Sequence, residues 1–255
     1  MKNLNKKFSI ITSIYNGDKF INKYFNQVYN QKLKPCEIVI VDDGKNKLLE
    51  NTKKKYKKKN PKIKVIIIKN KKNLGSAISL NKAIKTAKTK ILFRLDVDDT
   101  WHINHTQTYI NIINKNPSFG LYSHRIDLNF LQKITNDKYL VNRNTLIHSS
   151  WVLNLNILHS FKYVGKKKEC EDYLTLTKYI LSGIKIYNVK RKTVKYNQIN
   201  YGHGKRNFYI VNFARKKCSI KLFNFYKSKS SSLISFIFFK FGFIPFLYFL
   251  YKNYI

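Results

Sequence analysis

The stretch ILFRLDVDD, residues 91–99, runs a short apolar segment straight into Asp96, Asp98 and Asp99. Ile91–Leu95 has the length and composition of a buried strand, and the acids begin where it stops. Working back from it, the same alternation recurs. A helix with the apolar face Ala77, Leu80, Ile84 and Ala87 precedes this strand, introduced by Leu74-Gly75. Lys62–Ile68 is a strand, and the lysine-rich Lys47–Lys59 is a solvated helix stopped by Pro61. Glu37–Val41 (EIVIV) is a strand closing at Asp42-Asp43-Gly44. Phe8–Ile14 is the first strand; after the turn Asn16-Gly17-Asp18, a helical face of Phe20, Ile21, Tyr24, Phe25 and Val28 follows. Strands alternating with helices of this length predict βαβ units, hence an α/β fold with a mostly parallel, Rossmann-like sheet flanked by helices. Open sheets of this kind bind ligands beyond the carboxyl ends of their strands. Ser13–Asn16, Asp42-Asp43 and Asp96–Asp99 all sit at such ends and are expected to share one rim.

The 255 residues suffice for a sizeable core, and their formal charge of +37 is extreme. Lys, Asn, Ile, Phe and Tyr share A/T-rich codons, so a biased genome yields much of this composition. Only six of the 50 basic residues are Arg, scattered along the chain. That is a poor match to nucleic-acid readers, which rely on bidentate Arg contacts. The 13 acids say more: eight lie in three groups, Asp42-Asp43, Asp96/Asp98/Asp99 and Glu169/Glu171/Asp172. Like charges gathered this closely call for a cation or a proton to offset them. Cys36, Cys170 and Cys218 form no CxxC pair, which fits a reducing compartment. The N-terminal apolar run is too short and strand-like for a secretory signal, so a cytoplasmic protein is expected.

Carboxylates two and three positions apart, just past a strand, suit Mg²⁺ or Mn²⁺, with the remaining coordination left to water and phosphate oxygens. The competing reading makes Asp99-Thr100 the cap of a helix near Ile103.

Four blocks, SIITSIYNGDKFI, EIVIVDDGK, NLGSAISLNKAIKTAKTKILFRLDVDD and CEDY, resemble in their order the inverting family 2 glycosyltransferases of the GT-A fold, over residues 8–172. The resemblance implies a nucleotide diphosphate-sugar donor (a UDP-sugar favoured), a divalent metal, and inversion by single displacement. It implies that Ser13 and Tyr15 border the nucleobase and that Asp43 accepts a hydrogen bond from it. Asp98 is then near the ribose or metal and Asp99 is the principal metal ligand, with Asp96 in support of the same nucleotide site. Asp172 corresponds to the general base, crowded by Glu169 and Glu171. Gly75 and Asn81 match positions of structural character. Ile147–Ser150 resembles the segment lining the acceptor site, and Tyr201–Arg206 a stretch able to close over the diphosphate. One departure stands out: Lys45-Asn46-Lys47 follows Gly44, where the family continues with Ser.

The chain is expected to divide into a nucleotide-sugar half (1–115), an acceptor half (116–215) and a basic, apolar tail (216–255). Ser118–Tyr139 reads as short strands and turns, Lys185–Lys195 as a strand pair, and a helix starting at Glu169–Asp172 is capped by Gly183. Leu233–Tyr251 (LISFIFFKFGFIPFLYFLY) is long enough to reach across a bilayer, but Lys240 and Pro245 interrupt it. An aromatic helix lying on the membrane, attracted by anionic lipid, is the expectation for this tail. The function expected is sugar transfer to a hydroxyl of a saccharide or lipid-linked glycan at the inner membrane face. The rivals are a basic nucleic-acid-binding protein, and a protein that binds nucleotide sugar without turnover.

Overall fold

The structure is a computed structural model describing residues 7–124, 146–166 and 171–195, with Lys221. The expected aromatic helix at 233–251, the stretch 201–206, Glu169, Cys170 and Cys218 lie outside the described residues.

The strands are β1 (Ser9–Ile14), β2 (Glu37–Asp42), β3 (Lys64–Lys69), β4 (Ile91–Arg94), β5 (Thr100–Trp101), β6 (Leu121–Ser123), β7 (Val152–Asn154), β8 (Ile186–Asn188) and β9 (Val194–Lys195). The helices are α1 (Asp18–Tyr29), α2 (Leu49–Lys59), α3 (Ser76–Thr86), α4 (His105–Lys115) and α5 (Glu171–Leu181). Seven strands form one sheet in the order β3-β2-β1-β4-β7-β6-β8. β1 pairs in parallel with both β2 and β4, and β2 with β3, as the alternating pattern predicts. β7 is antiparallel to β4 and β6, whereas β6 and β8 are parallel.

Both faces of this sheet are covered, which is why Ile38–Val41 is apolar at every position. Successive side chains point to opposite faces. Ile10, Ile14, Ile38, Ile40 and Phe93 pack on α1, α2 and α4; Ile11, Val39, Val41 and Leu92 pack on α3 and α5. The predicted faces of α1 and α3 are largely the buried ones, although on α3 Ala83 joins Leu80 as fully buried while Ile84 is only partly so. Gly183 ends α5 as expected, at φ +79°, with its N–H on the Ile180 carbonyl and the Ile184 N–H on the Tyr179 carbonyl.

Two local expectations are corrected. Asp99 does not cap a helix: Thr100-Trp101 is extended because it pairs with Lys195 and Val194, and α4 begins only at His105. The strands within 185–195 both form but do not pair with each other. β8 joins the main sheet beside β6, and β9 joins β5 in a separate two-stranded ladder. Partners far away in the chain decide both cases, and local periodicity carries no information about them.

Phe93 sits at the centre of the α1/α4 face, its ring 4.6 Å from Phe8, 5.9 Å from Trp101 and 6.0 Å from Tyr109. Phe93→Ala leaves a cavity among rigid aromatic rings, and urea unfolding should show a loss of about 3–5 kcal/mol.

Candidate active site

The rim is built from the loops that follow β1, β2 and β4. Ser13 lies at the end of β1, its hydroxyl 3.4 Å from that of Ser76 at the start of α3. Tyr15 projects from the next loop and is 56% exposed. Gly44 packs against this loop: a Cβ there would stand 2.7 Å from the Asn16 nitrogen and 3.0 Å from Tyr15 Cα. Those are backbone atoms, so only glycine allows the β1 and β2 loops to touch.

The adjacent acids Asp42 and Asp43 do different work. Asp42 closes its own turn, accepting from the Gly44 and Asn46 N–H groups and from Asn46 Nδ2 at 2.6 Å. Asn46 Oδ1 in turn accepts from the Gly17 N–H at 2.7 Å, tying this loop to the start of α1. Asp42 thus makes an Asx-type turn with Gly44. Asp43 points the other way, buried at 5% exposure, and receives Asn70 Nδ2 at 2.7 Å and the Leu74 and Gly75 N–H groups at 2.8 Å each. Gly75 has φ +91°, ψ 162°, a conformation essentially restricted to glycine, and it turns its N–H onto Asp43.

The acid loop after β4 is pinned from three sides. From α1, Gln27 donates to the Asp99 carbonyl (3.0 Å) and accepts the Trp101 N–H (2.7 Å). From the turn before β7, the Ser149 hydroxyl accepts the Asp96 N–H at 3.0 Å and lies against the carboxylates of both Asp96 and Asp99. From β4 itself, Arg94 forms an ion pair with Asp96. Burial raises the Asp96 carboxyl, but Arg94, His148 and the Ser149 hydrogen bond together outweigh it and hold this acid below its ordinary value. Asp98 shifts the opposite way, raised first by burial and then by the Asp96 charge. Asp99 is 2% exposed.

Hard carboxylate oxygens are the donors that Mg²⁺ or Mn²⁺ prefers. Among the described residues no three His, Cys, Asp or Glu side chains gather into a complete cage. Such an ion needs only one or two carboxylates when a diphosphate supplies other oxygens, and crowded Asp98 beside Asp99 fits that requirement.

Asp172 lies half-buried in the first turn of α5, next to buried Glu171. The segment 163–165 brings α5 to the acid loop. Gly165 (φ +132°) packs so that a Cβ would stand 3.3 Å from Glu171 Cα. Tyr163 has its backbone clamped by Asn81, at 2.8 and 2.9 Å, and its hydroxyl 3.1 Å from His148 Nε2. Burial pushes the Tyr163 hydroxyl far up; Arg94 opposes the shift, and Asp96, Glu171 and Asp172 add to it.

A family model, "Glycosyl transferase family 2", matches residues 9–172. The chain belongs to this glycosyltransferase family. A glycosyltransferase of Methanocaldococcus jannaschii, itself uncharacterised, is 28% identical over 211 residues, 76% of this chain and 72% of that one. The poly(ribitol-phosphate) β-N-acetylglucosaminyltransferase TarP of Staphylococcus aureus is 27% identical over 76% of this chain and 63% of its own. A glycosyltransferase of Haemophilus influenzae, 30% identical over 108 residues, is matched over only 33% of its length. Among solved structures, S. aureus TarS in complex with UDP-GlcNAc superposes with TM-score 0.64 at 19% identity, over 86% of this chain and 67% of TarS. The mannosyltransferase PcManGT of Pyrobaculum calidifontis, in complex with GDP-Man and Mn²⁺, gives 0.61 at 16% identity, over 97% and 82%. These likenesses establish the GT-A fold. No helix among the described residues of this family 2 glycosyltransferase is long and apolar enough to cross a membrane.

Sequence reasoning overlooked Arg94, Gln27 and Tyr163, and took Ser149 only as part of the acceptor-lining segment Ile147–Ser150, whereas its hydroxyl lies on Asp96 and Asp99. The signal for Arg94 was present: one of six Arg in the chain stands inside an apolar strand directly before the acids. Ser149 and Gln27 have no such mark, because their partners lie 50 and 72 residues away.

The Arg94–Asp96 pair predicts a pH signature. A lowered Asp96 pKa stabilises the fold above the ordinary carboxyl value of 3.8, and that gain is lost as pH falls through the lowered value. The Asp96 side chain keeps 27% exposure, so Asp96→Asn should cost no more than about 3 kcal/mol at neutral pH, the low end for a broken buried pair. The difference in melting temperature from wild type should shrink as pH falls below 3.8.

Proposed function

We propose that this chain transfers a sugar from a nucleotide diphosphate-sugar, a UDP-sugar favoured, to a hydroxyl of a saccharide or lipid-linked glycan, with inversion and with a divalent metal. The observation that carries the reading is the match of residues 9–172 to the family 2 glycosyltransferase model, together with the parallel pairing that sets Asp42-Asp43 and Asp96–Asp99 at the carboxyl ends of strands in one sheet. The names of TarP, TarS with UDP-GlcNAc and PcManGT with GDP-Man and Mn²⁺ support donor and metal by analogy.

In this reading the nucleobase lies over the loop bearing Ser13 and Tyr15, within reach of Asp43. The three N–H donors on Asp43 fix the orientation of its carboxylate, which can then accept from an imide N–H of the base. Asp98 and Asp99 hold Mn²⁺ or Mg²⁺, with Asp96 in support; when bound, the ion offsets the charge developing on the departing diphosphate. Asp172 removes the proton of the acceptor hydroxyl as its oxygen bonds to the anomeric carbon and the bond to the diphosphate breaks. Attack from the face opposite the leaving group inverts the anomeric centre. Residues 233–251 are proposed to rest on the inner face of the membrane.

Asp99→Ala should abolish Mn²⁺-dependent donor hydrolysis and transfer, as followed by release of the nucleoside diphosphate; full activity in that variant would refute the metal assignment. Asp172→Asn should bind donor with unchanged affinity by calorimetry and lose about 10²–10⁴-fold in transfer, the usual worth of a general base. Unchanged turnover would remove it from that role.

A further inference from the structure

A cavity of about 680 Å³ opens between α3 and the segment 155–162. That is within the range of about 300–1,000 Å³ usual for small-molecule sites. Ile78, Ile84 and Phe161 give it an apolar lining. Ile84, expected in the core, is only partly buried and borders this space, and Ile78 is 44% exposed. Lys82, Lys85 and Lys162 add three ammonium groups, and among the described residues that line the cavity none is Asp or Glu.

Both walls are fixed. Asn81 on α3 holds the Tyr163 backbone through its N–H at 2.8 Å and its carbonyl at 2.9 Å. The Phe161 ring stacks on Tyr179 of α5 at 4.6 Å, and the Tyr179 hydroxyl accepts the Lys162 N–H at 2.8 Å. The Lys82 ammonium donates to Asn70 at 2.6 Å. The cavity is therefore preformed. It also reaches away from the acids: Leu155, in its lining, follows β7 where that strand ends beside Ile91, the first residue of β4. The acid loop leaves β4 at the other end.

Ammonium groups beside aliphatic walls call for an anion that carries an apolar chain. This chain has no acidic side chain after Asp172, and a second copy, with the same formal charge of +37, is as basic. A nucleic acid would meet aliphatic side chains and the buried Phe161, where its bases need exposed aromatic faces. We propose that the cavity binds an anionic membrane phospholipid, its phosphate on Lys85 and Lys162 and the first methylene groups of its chains against Ile78 and Ile84. This contact is distinct from the one proposed at 233–251 and depends on neither the donor nor the base assignment.

The test is calorimetric titration of the full chain with dihexanoyl-phosphatidylglycerol, kept dilute enough to stay monomeric. Saturable binding is expected. Dihexanoyl-phosphatidylcholine, with the same chains and a zwitterionic head, and glycerol 3-phosphate, with no chains, should each bind at least about ten-fold more weakly, the worth of one charge-assisted hydrogen bond or a few buried methylene groups. The variant Lys85→Gln/Lys162→Gln alters two exposed side chains and leaves residues 233–251 intact. It should lose about ten-fold or more in affinity for the glycerol lipid, with melting temperature and nucleoside diphosphate affinity unchanged. Ile78→Asn, also at an exposed position, should weaken the same binding several-fold. Wild-type affinity in either variant would put the lipid elsewhere on the chain and overturn the proposal. Equal binding of the choline lipid would remove the role of the lysines, and equal binding of glycerol 3-phosphate would leave only a site for free phosphate. Either result, or no binding of the glycerol lipid, overturns it as well.

Discussion

β1 is hydrogen-bonded along both edges, to β2 and to β4, and the whole rim follows from that pairing. The register sets Ile14 opposite Asp42 and Ile11 opposite Arg94, so the loops after these strands emerge side by side. Thr12 reinforces the arrangement from within the strand, donating to the Leu95 carbonyl just before the acids begin. Without this central strand, chain-distant carboxylates would have no common surface.

Bringing them together creates an electrostatic problem that each acid meets differently. Asp42 spends its charge on turn N–H groups, Asp43 on the backbone entering α3, and Asp96 on Arg94. Asp99 is served by the Ser149 hydroxyl, while Asp98 is left raised by burial and its neighbour's charge. Carboxylates with fixed protein partners are held in place. This division was undecidable from the spacing D-x-D-D, which treats the three acids of the loop alike.

The surplus of lysine has little to do with this architecture. Lys54, Lys55 and Lys57–Lys59 on α2 are exposed, far from the buried polar contacts that shape the rim. The ionic contact within the rim comes from an Arg, whose planar fork serves a buried carboxylate better than an ammonium does.

What the sequence determined by itself was the sheet-and-helix order, the four parallel strands β1–β4, and the clustering of acids at their ends. Those features are local: β-branched runs, a 3.6-residue apolar period, and turn residues at the strand ends. Only the tertiary structure decided that Asp42 and Asp43 part company, that Thr100-Trp101 is a strand and not a helix start, and that β8 and β9 enter different ladders. It alone revealed Arg94, Ser149 and Gln27 as the groups that pin the acid loop. Each of these outcomes depends on a contact between residues far apart in the chain, whose energy comes from burial and pairing that no local pattern encodes.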